Sequence, residues 1–505
     1  MNFVSSKMAA IVLAAAIGAS AMAAGPVNVL ASSGTQASTA GFQDINEAGV
    51  PSADAILTLV KQGAMNGYGN GLIKPNAVVS RAELAKLVVT GLALPIQAAQ
   101  PEGVTDLEAD KWYYSYVATL INLGAMKAED ERLKPNGPVT AAELADVVSK
   151  ALKRDAASVK YWAQAVNAKP ESVTRGELAQ LIVTAQKAKP SVDAKVVQIK
   201  PLNTITLEVT FSEPLTAEDA ALDEALSNFS FNNGLAMLNV PQLKTGSIAT
   251  YIVPTTPQKA GTAYELTYKG NASGEFTGSG EKIEMSGVSQ VSYDTFEVVS
   301  ELSNGITDYG NVIAAYSVGR AAIAFILDEN NNFNGRTYEI ISSMRSKQVT
   351  ITPEGGAPMT ATYVLFTQAT DGRQAPKFRL PEGSVLQPGV NYTVSSEWAN
   401  IKSSTFVAKE TAPLVIASAK AIDESSLELT LKADPKDELF AVRSLELTGS
   451  DGSKLTAAYK LTSRKGATGI FELTGGSKLT AGMTYEVKAA SAWATGQDIT
   501  VTLAK

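Results

Sequence analysis

The spacing of apolar residues changes once along the chain, near residue 192. Before that point apolar residues recur every three or four positions, which is the period of an amphipathic helix. Three runs show this spacing: Leu84, Leu87, Val88 and Leu92; Leu144, Val147, Val148 and Leu152; and Leu178, Leu181 and Ile182. After it, apolar and polar residues alternate, as in residues 204–211, 347–351 and 426–431, and short alternating runs predict β-strands. The pattern therefore predicts an all-α N-terminal part followed by all-β domains.

A common phrase opens each of the three predicted helices. Its first residue is Ser or Thr and its fourth is Glu, in the pairs Ser80 and Glu83, Thr140 and Glu143, and Thr174 and Glu177. This is the pattern of a capping box, in which the hydroxyl accepts from the amide of the third helical residue. The Glu carboxylate in turn accepts from the amide of the hydroxyl residue. The six residues are therefore predicted to cap their helices.

The second position of the phrase has no capping role. It is Arg81 in the first copy, Ala141 in the second and Arg175 in the third. A cation in the first turn faces the positive end of the helix dipole, which costs about a few tenths of a kcal/mol. An arginine beside open helix amides is, however, suited to holding an anion. Arg81 and Arg175 are therefore candidate binding residues.

The phrase belongs to a longer repeat of helix, glycine turn, proline-bearing segment and helix. Pro75 and Pro135 are 60 residues apart, as are Glu83 and Glu143, whereas Glu177 follows Glu143 by only 34 residues. The third copy is thus shorter, and it lacks the glycine-rich turn. A repeat this small cannot bury its apolar face alone, so the three copies are predicted to pack together.

These copies resemble the S-layer homology domain, a family that usually occurs as three tandem repeats. The resemblance rests on Phe-x-Asp ending at Asp44, the Gly67-Tyr68-Gly69 turn, a following proline, and the phrase Ser80-Arg81-Ala82-Glu83. Copy two departs from the family at Ala141, and copy three has Gly176 where the family has Ala. The resemblance implies an all-α bundle shaped as a three-pronged spindle, with repeats at 42–95, 96–153 and 154–190.

The same resemblance implies a ligand. Such domains anchor proteins non-covalently to an acidic cell-wall polysaccharide, often one with a pyruvate ketal, in grooves between repeats. The residues assigned to polymer binding are Arg81, Arg175, Asp44, Asp106, Gly67, Tyr68, Gly69 and Trp112. Each also has a structural interpretation: the arginines as partners of carboxylates, the aspartates as braces of the first helix, and Trp112 as a bundle residue. Because Ala141 replaces the arginine, one or two working grooves are expected rather than three.

The β-region contains a second repeat, Gly-x-x-Tyr before a strand. Its tyrosines are Tyr264, Tyr392 and Tyr485. The motif resembles the tyrosine corner of immunoglobulin-like sandwiches, in which the hydroxyl bonds back to the backbone. It predicts three immunoglobulin-like β-sandwich domains, at 191–296, 297–411 and 412–505, of which the middle one is irregular.

Composition removes several classes of function. The chain has no Cys and no His, which excludes disulfides, thiolate and Ser-His-Asp catalysis, and the usual zinc sites. A net charge of −7 gives no support for nucleic-acid binding. No cofactor is predicted. Calcium is a weak candidate, because four residues match part of a calcium-loop pattern: Asp328, Asn330, Asn332 and Glu339. Phe333 replaces the glycine of that pattern, and Asn334-Gly335 instead favours a hairpin.

The N-terminus predicts export. Lys7, an apolar run from Met8 to Gly18 and the small residues Ala21-Met22-Ala23 fit a secretory signal at 1–23. A Ser/Thr/Ala/Gly-rich linker follows at 24–41. No membrane attachment is expected after cleavage, although an uncleaved anchor is the alternative.

The leading hypothesis is a secreted structural protein of a bacterial S-layer, bound to a secondary cell-wall polysaccharide or another peptidoglycan-linked polymer and to copies of itself in a surface lattice. The first alternative is a wall-anchored adhesin, whose β-domains recognise a separate ligand. The second is a wall-anchored hydrolase, which requires two carboxylates at glycosidase separation. No such pair stands out in the sequence, so no enzymatic activity is predicted.

Overall fold

The computed structural model describes residues 41–68, 70–97, 99–299, 306–308, 326–365, 376–412, 414–435, 440–461 and 463–504. The predicted signal, linker residues 24–40 and Gly69 lie outside the described residues. Within the described part, no helix is both long enough and apolar enough to span a bilayer.

Helices dominate the described residues up to 187. They are α1 (Val50–Lys61), α2 (Arg81–Gly91), α3 (Tyr114–Asn122), α4 (Ala141–Leu152), α5 (Ala156–Ala165) and α6 (Arg175–Lys187), with a 3₁₀ turn at Ile45–Ala48. The hydroxyl-and-Glu phrases stand at the starts of α2, α4 and α6. Full capping boxes form at α2 and α6. At α4 the Thr140 hydroxyl accepts from the Glu143 amide, while the Glu143 carboxylate is bonded elsewhere, as described below.

A ring of three backbone hydrogen bonds lies at the centre of the helical part. The Val79 amide donates to the Val173 carbonyl at 2.9 Å, Val173 to Val139 at 3.1 Å, and Val139 back to Val79 at 3.1 Å. Each valine comes just before a capped helix and is buried. The three phrases are therefore arranged around a common centre, and their helices share one apolar core with α1, α3 and α5.

Close packing between two helices explains the glycine at position 176. A Cβ at this position would lie 3.0 Å from Ser52 Cβ on α1 and 3.4 Å from the Pro75 carbonyl oxygen. The third copy therefore has glycine where the other two have alanine because α6 approaches α1 closely.

The first β-domain, residues 196–277, has two sheets that share one core. The strands are β1 (Val196–Asn203), β2 (Thr206–Phe211), β3 (Phe229–Phe231), β4 (Gln242–Leu243), β5 (Thr250–Pro254), β6 (Ala263–Tyr268) and β7 (Asn271–Thr277), with helix α7 (Leu222–Asn228) before β3. The strand orders are β1-β2-β5-β4 and β3-β6-β7, all antiparallel.

The second β-domain, residues 283–407, is built on an eight-stranded sheet in the order β18-β8-β9-β16-β15-β14-β17-β19. Its end strand β19 lies against β8, so the sheet is barrel-like. The strands of this sheet are β8 (Ile283–Gln290), β9 (Thr295–Val299), β14 (Gln348–Pro353), β15 (Met359–Tyr363), β16 (Lys377–Arg379), β17 (Asn391–Ser395), β18 (Ala399–Ser403) and β19 (Thr405–Val407). Two further pairs form two-stranded sheets: β10 (Ile306–Asp308) with β13 (Glu339–Ile341), and β11 (Asn332–Phe333) with β12 (Arg336–Thr337).

The third β-domain, residues 416–502, has a seven-stranded sheet in the order β20-β21-β24-β23-β22-β25-β26. Strand β26 lies against β20, which makes this sheet barrel-like as well. The strands are β20 (Ile416–Ala421), β21 (Ser426–Leu431), β22 (Ser444–Gly449), β23 (Lys454–Tyr459), β24 (Thr468–Leu473), β25 (Thr484–Ala489) and β26 (Thr500–Thr502), with a 3₁₀ turn at Ala490–Ala492.

The boundary expected at 296 differs from the observed sheets. Strands β8 and β9 pair with each other and with β18 and β16, so residues 283–299 lie in the sheet of the second β-domain. Alternation along a strand reports its two faces but not which partner it pairs with, because pairing is set by residues distant in sequence.

Each β-domain carries the tyrosine contact that its Gly-x-x-Tyr motif predicts. The hydroxyls of Tyr264, Tyr392 and Tyr485 accept from backbone amides five residues upstream, at 3.0, 2.9 and 3.0 Å. All three rings are buried. The glycine of each motif has a positive φ, between 71° and 84°, which glycine adopts without steric cost.

Side chains join the helical part to the first β-domain. Trp162 on α5 is 0% exposed, and its Nε1 donates to the Gly246 carbonyl at 2.7 Å. The Gly246 amide donates to the Ser158 hydroxyl at 2.8 Å, and Arg154 donates to the carbonyls of Ser247 and Ile248. The loop between β4 and β5 is therefore fixed against α5.

Candidate functional site

Two aspartates hold the loops that precede the capped helices. The Asp44 carboxylate accepts from the amides of Ile73 and Lys74, both at 2.8 Å. Asp106 accepts from the equivalent amides of Leu133 and Lys134 at 2.7 and 2.8 Å. Burial alone would raise the pKa of each carboxyl, but these hydrogen bonds outweigh it and hold both pKa values below normal. The two aspartates thus brace a loop rather than the first helix.

Arg175 joins the third copy to the first. It is 5% exposed, and its Nη1 donates to Glu83 Oε1 at 2.9 Å. Its Nε and Nη2 donate to the carbonyls of Ile73 and Asn66 at 2.9 and 2.8 Å. The guanidinium also lies over the Tyr68 ring, 5.1 Å from its centroid, within the range of a cation–π contact.

Arg81 makes the same kind of contact from the first copy to the second. Its Nε pairs with the Glu143 carboxylate and its Nη1 donates to the Leu133 carbonyl. Leu133 and Glu143 lie 60 residues after Ile73 and Glu83, so the two arginines occupy equivalent junctions. We call each set an arginine clasp. At the third junction Ala141 replaces the arginine, and the Glu177 carboxylate accepts from the Thr174 amide.

The amides at the helix starts are occupied, unlike the open amides of the anion hypothesis. The amides of Arg81 and Ala82 donate to the carbonyls of Gly137 and Pro135 at 3.0 and 2.9 Å. In the same way Arg175 and Gly176 donate to loop carbonyls of the first copy. A carboxylate bound here would therefore meet side chains and not these backbone groups.

A pocket of ≈ 230 Å³ lies beside the Arg175 clasp. Residues from all three copies line it: Ala64, Met65, Asn66, Tyr68, Glu83, Lys86 and Leu87 from the first, Trp112 from the second and Arg175 from the third. Trp112 is 57% exposed, so most of its side chain is open to solvent. The pocket thus combines an apolar ring surface with two cations and one carboxylate.

The charged side chains of the pocket differ in how many hydrogen bonds they already make. Glu83 Oε1 accepts from Arg175 and from the Tyr68 hydroxyl at 3.2 Å, and its Oε2 accepts from the Ser80 amide and hydroxyl. Burial, and then the nearby Arg175 charge, lowers the pKa of Lys86. Burial also raises the pKa of Tyr68, which keeps its phenol protonated.

Of the predicted binding residues that the structure describes, Tyr68, Trp112 and Arg175 line the pocket, and Arg81, Asp44, Asp106 and Gly67 do not. Arg81 lies at the next junction. Gly67 packs against Phe42, since a Cβ there would lie 2.3 Å from the Phe42 ring. Sequence reasoning missed Lys86 and gave Glu83 a capping role first, with a direct ligand role as the lesser alternative. The signal for Lys86 was its position three residues after Glu83, on the same helix face.

The residues of the weak calcium pattern are otherwise engaged. Asp328 Oδ1 accepts from the amides of Asn330 and Asn332, both at 2.8 Å, and Asn332 pairs with Thr337 in the β11–β12 hairpin. Glu339 lies on β13, and its Oε2 accepts from the Glu284 amide at 3.1 Å. Among the described residues no group of three or more carboxylates could hold a metal. Calcium binding here stays a prediction.

Two segments of the helical part match a known family. Residues 43–85 and 105–145 match the S-layer homology domain. An S-layer protein of Bacillus thuringiensis subsp. finitimus is 27% identical over 240 residues, or 41% of this chain and 29% of that protein. The S-layer protein sap of Bacillus anthracis is 27% identical over 239 residues, or 41% of this chain and 28% of that protein.

An S-layer protein of Bacillus licheniformis is 26% identical over 468 residues, which cover 81% of this chain and 51% of that protein. The chain thus spans about half or less of the length of these relatives. It carries S-layer homology repeats in its helical part and is similar to bacterial S-layer proteins.

Proposed function

We propose that this chain is a secreted structural protein of a bacterial surface layer. Its helical part binds an acidic polysaccharide of the cell wall without a covalent bond, and its β-domains form the outward, lattice-building part. The observation that carries the proposal is the pocket in which Tyr68, Trp112 and Arg175 meet, because it is built from all three copies of a repeat whose first two copies match the S-layer homology domain.

Residues 154–190 act as the third repeat of the module in this proposal. Three features support it: the full capping box at Thr174, the Arg175 clasp and the place of Val173 in the central ring. The module is then the three-repeat spindle that the sequence predicts. The buried tyrosine corners likewise support the immunoglobulin-like class for the three β-domains.

The pocket chemistry suits a sugar that carries a carboxylate, such as a pyruvate ketal. The exposed Trp112 ring can stack on the apolar face of a sugar, and a cationic side chain of the pocket can supply charge-assisted hydrogen bonds of about 1.5–3 kcal/mol each. Asp44, Asp106 and Arg81 contribute by holding the loops and the neighbouring junction in place. One groove, beside the first repeat, then does the binding.

Catalysis forms no part of the proposal. A glycosidase needs two carboxylates about 5–9.5 Å apart across its substrate. The pocket contributes one carboxylate, Glu83, which accepts four hydrogen bonds. These hydrogen bonds fix the orientation of the Glu83 carboxylate within the cap and the clasp, so the pocket supports binding.

The test is co-sedimentation of the chain from residue 24 with Bacillus wall fragments that retain their polysaccharide. Trp112→Ala removes the exposed wall of the pocket and should weaken the affinity about 5- to 150-fold, given a stacking contribution near 1–3 kcal/mol. Val50→Ala, which alters another exposed apolar side chain of the module, should bind as the unaltered chain does. Equal binding by Trp112→Ala would refute this site.

Lattice formation is tested separately by electron microscopy of the chain bound to wall fragments. Ordered arrays are expected for a surface-layer protein. A wall-anchored adhesin would coat the fragments without order, which would overturn the structural role while leaving the anchor in place.

A further inference from the structure

We infer that Lys86, rather than the motif arginine, recognises the negative charge of the ligand, and that this confines anion binding to the groove of the first repeat. The inference rests on the proposed function and deepens it. Two cations, Arg175 and Lys86, line the pocket, and they differ in the partners that each already has.

Arg175 has its charge balanced inside the protein. Its Nη1 is 2.9 Å from a Glu83 oxygen, and its other two nitrogens donate to main-chain carbonyls. Glu83 is shared between this ion pair and the cap of α2. Withdrawing Arg175 toward a ligand would leave a part-buried carboxylate unpaired, which is costly. The guanidinium is therefore part of the pocket wall.

Lys86 has no comparable carboxylate contact in the pocket. Its Nζ donates to Asn66 Oδ1 at 3.1 Å, in the amide orientation that also lets Asn66 Nδ2 donate to the Met65 carbonyl at 3.2 Å. An ammonium carries three N–H donors, and this amide takes one of them. Burial and the neighbouring Arg175 lower the pKa of Lys86, and the Glu83 charge opposes them only in part, so an incoming anion relieves the remaining repulsion between the two cations.

The residue at the position of Lys86 is acidic in the second repeat and uncharged in the third. Asp146 stands 60 residues after Lys86, and its carboxylate pairs with Lys150 at 2.6 Å. Ala128 stands at the position of Tyr68, so the second groove also lacks the ring. In the third repeat the position three residues after the capping Glu177 is Gln180, whose Nε2 donates to the Ser52 hydroxyl.

The Arg81 clasp then serves as an internal comparison. It keeps the arginine and the Glu of the helix-opening phrase, Glu143, but has an acidic residue where the first groove has Lys86. If the arginine recognised the anion, both grooves would bind it. If the lysine does, the first groove binds alone.

The experiment measures affinity of the chain from residue 24 for pyruvate-ketal-bearing Bacillus wall polysaccharide, intact and after methyl esterification of its carboxylates. The unaltered chain should prefer the intact polymer about tenfold or more. Lys86→Gln should lose that preference and flatten the dependence of affinity on salt. Lys86→Arg should retain both, and Lys150→Gln, which removes one positive charge elsewhere on the module, should change neither.

The outcomes separate the two proposals. Preference for the intact polymer retained by Lys86→Gln would overturn the role of Lys86. If Lys86→Gln retains the preference while Trp112→Ala loses binding, the proposed anchoring function is still supported. Failure of the unaltered chain to bind either form of the polymer would instead overturn the anchoring function itself. A binding stoichiometry above one per chain would contradict the single groove.

Discussion

The junctions between helical repeats and those between β-domains both use buried cations, but in different ways. In the helical part the cation pairs with a Glu of the helix-opening phrase, as Arg175 does with Glu83, which also caps α2. Between the second and third β-domains Arg443 forms two bonds with Asp294, at 2.9 and 3.0 Å, and both side chains are buried. Lys347 in the second β-domain is buried as well, and its Nζ donates to the Thr255 carbonyl of the first at 2.7 Å.

The comparison shows why one kind of junction can be read from sequence and the other cannot. The Glu residues of both clasps, Glu83 and Glu143, belong to the repeated helix-opening phrase, so the clasps recur with that phrase, 60 residues apart. The partners of Arg443 and Lys347 lie 149 and 92 residues away, and each contact occurs at a single junction. If the comparison is right, removing a cation should cost most where its partner is most deeply buried.

The largest effect is expected at the junction of the second and third β-domains. Arg443→Met removes two hydrogen bonds from the buried Asp294 carboxylate and leaves Arg379, 3.9 Å away, as its remaining cation among the described residues. The variant should lower the free energy of unfolding by up to about 3–5 kcal/mol. Urea denaturation followed by tryptophan fluorescence measures it. The more exposed pair of Arg464 and Asp434 supplies the control, since Arg464→Met should cost about 1 kcal/mol or less. Equal losses would break the proposed link between burial and cost.

The next effect is a pH dependence at the junction of the first and second β-domains. Burial lowers the pKa of Lys347 to about 7. Between that value and the ordinary lysine pKa of about 10.4, the unfolded chain binds the proton and the folded chain does not, so this group makes stability rise with pH. The slope should approach about 1.4 kcal/mol per pH unit. Lys347→Met should remove the added slope between pH 7 and 10, and an unchanged slope would show that Lys347 does not cause it.

The smallest effect is expected from completing the set of arginine clasps. Ala141→Arg places a guanidinium where it can pair with Glu177, as Arg81 pairs with Glu143. The gain should be up to about 1 kcal/mol, because the pair would be partly exposed. Ala141→Met matches the size without the charge and should not reproduce the gain in a thermal unfolding experiment. A loss of stability in Ala141→Arg would mean that the third junction is not equivalent to the others.

Repetition decided what could be predicted from sequence. The tyrosine corners were predicted because Gly-x-x-Tyr recurs before a strand in each β-domain, and the hydrogen bond of each hydroxyl is local, spanning five residues. The change from helices to strands followed from apolar spacing alone. The closure of the second and third sheets into barrel-like forms did not, because pairing between distant strands leaves no local pattern.

The candidate site was predicted in part for the same reason. Tyr68, Trp112 and Arg175 were singled out by their motifs, but sequence did not show that they face one pocket. Lys86 carries no motif, and its importance follows from its place beside Arg175. Comparing it with Asp146 and Gln180 across the repeats would have shown that this face of the capped helix varies in charge while the caps do not.

The buried contact between α5 and the first β-domain has a mechanical consequence. Trp162, Ser158 and Arg154 tie the module to the loop at Gly246–Ile248 in addition to the peptide chain that connects them. A sideways pull on the β-domains is therefore transmitted through two attachment points, which resist torque as well as tension. A surface layer built on such a joint would pass shear to the wall through a stiff lever instead of a swivel.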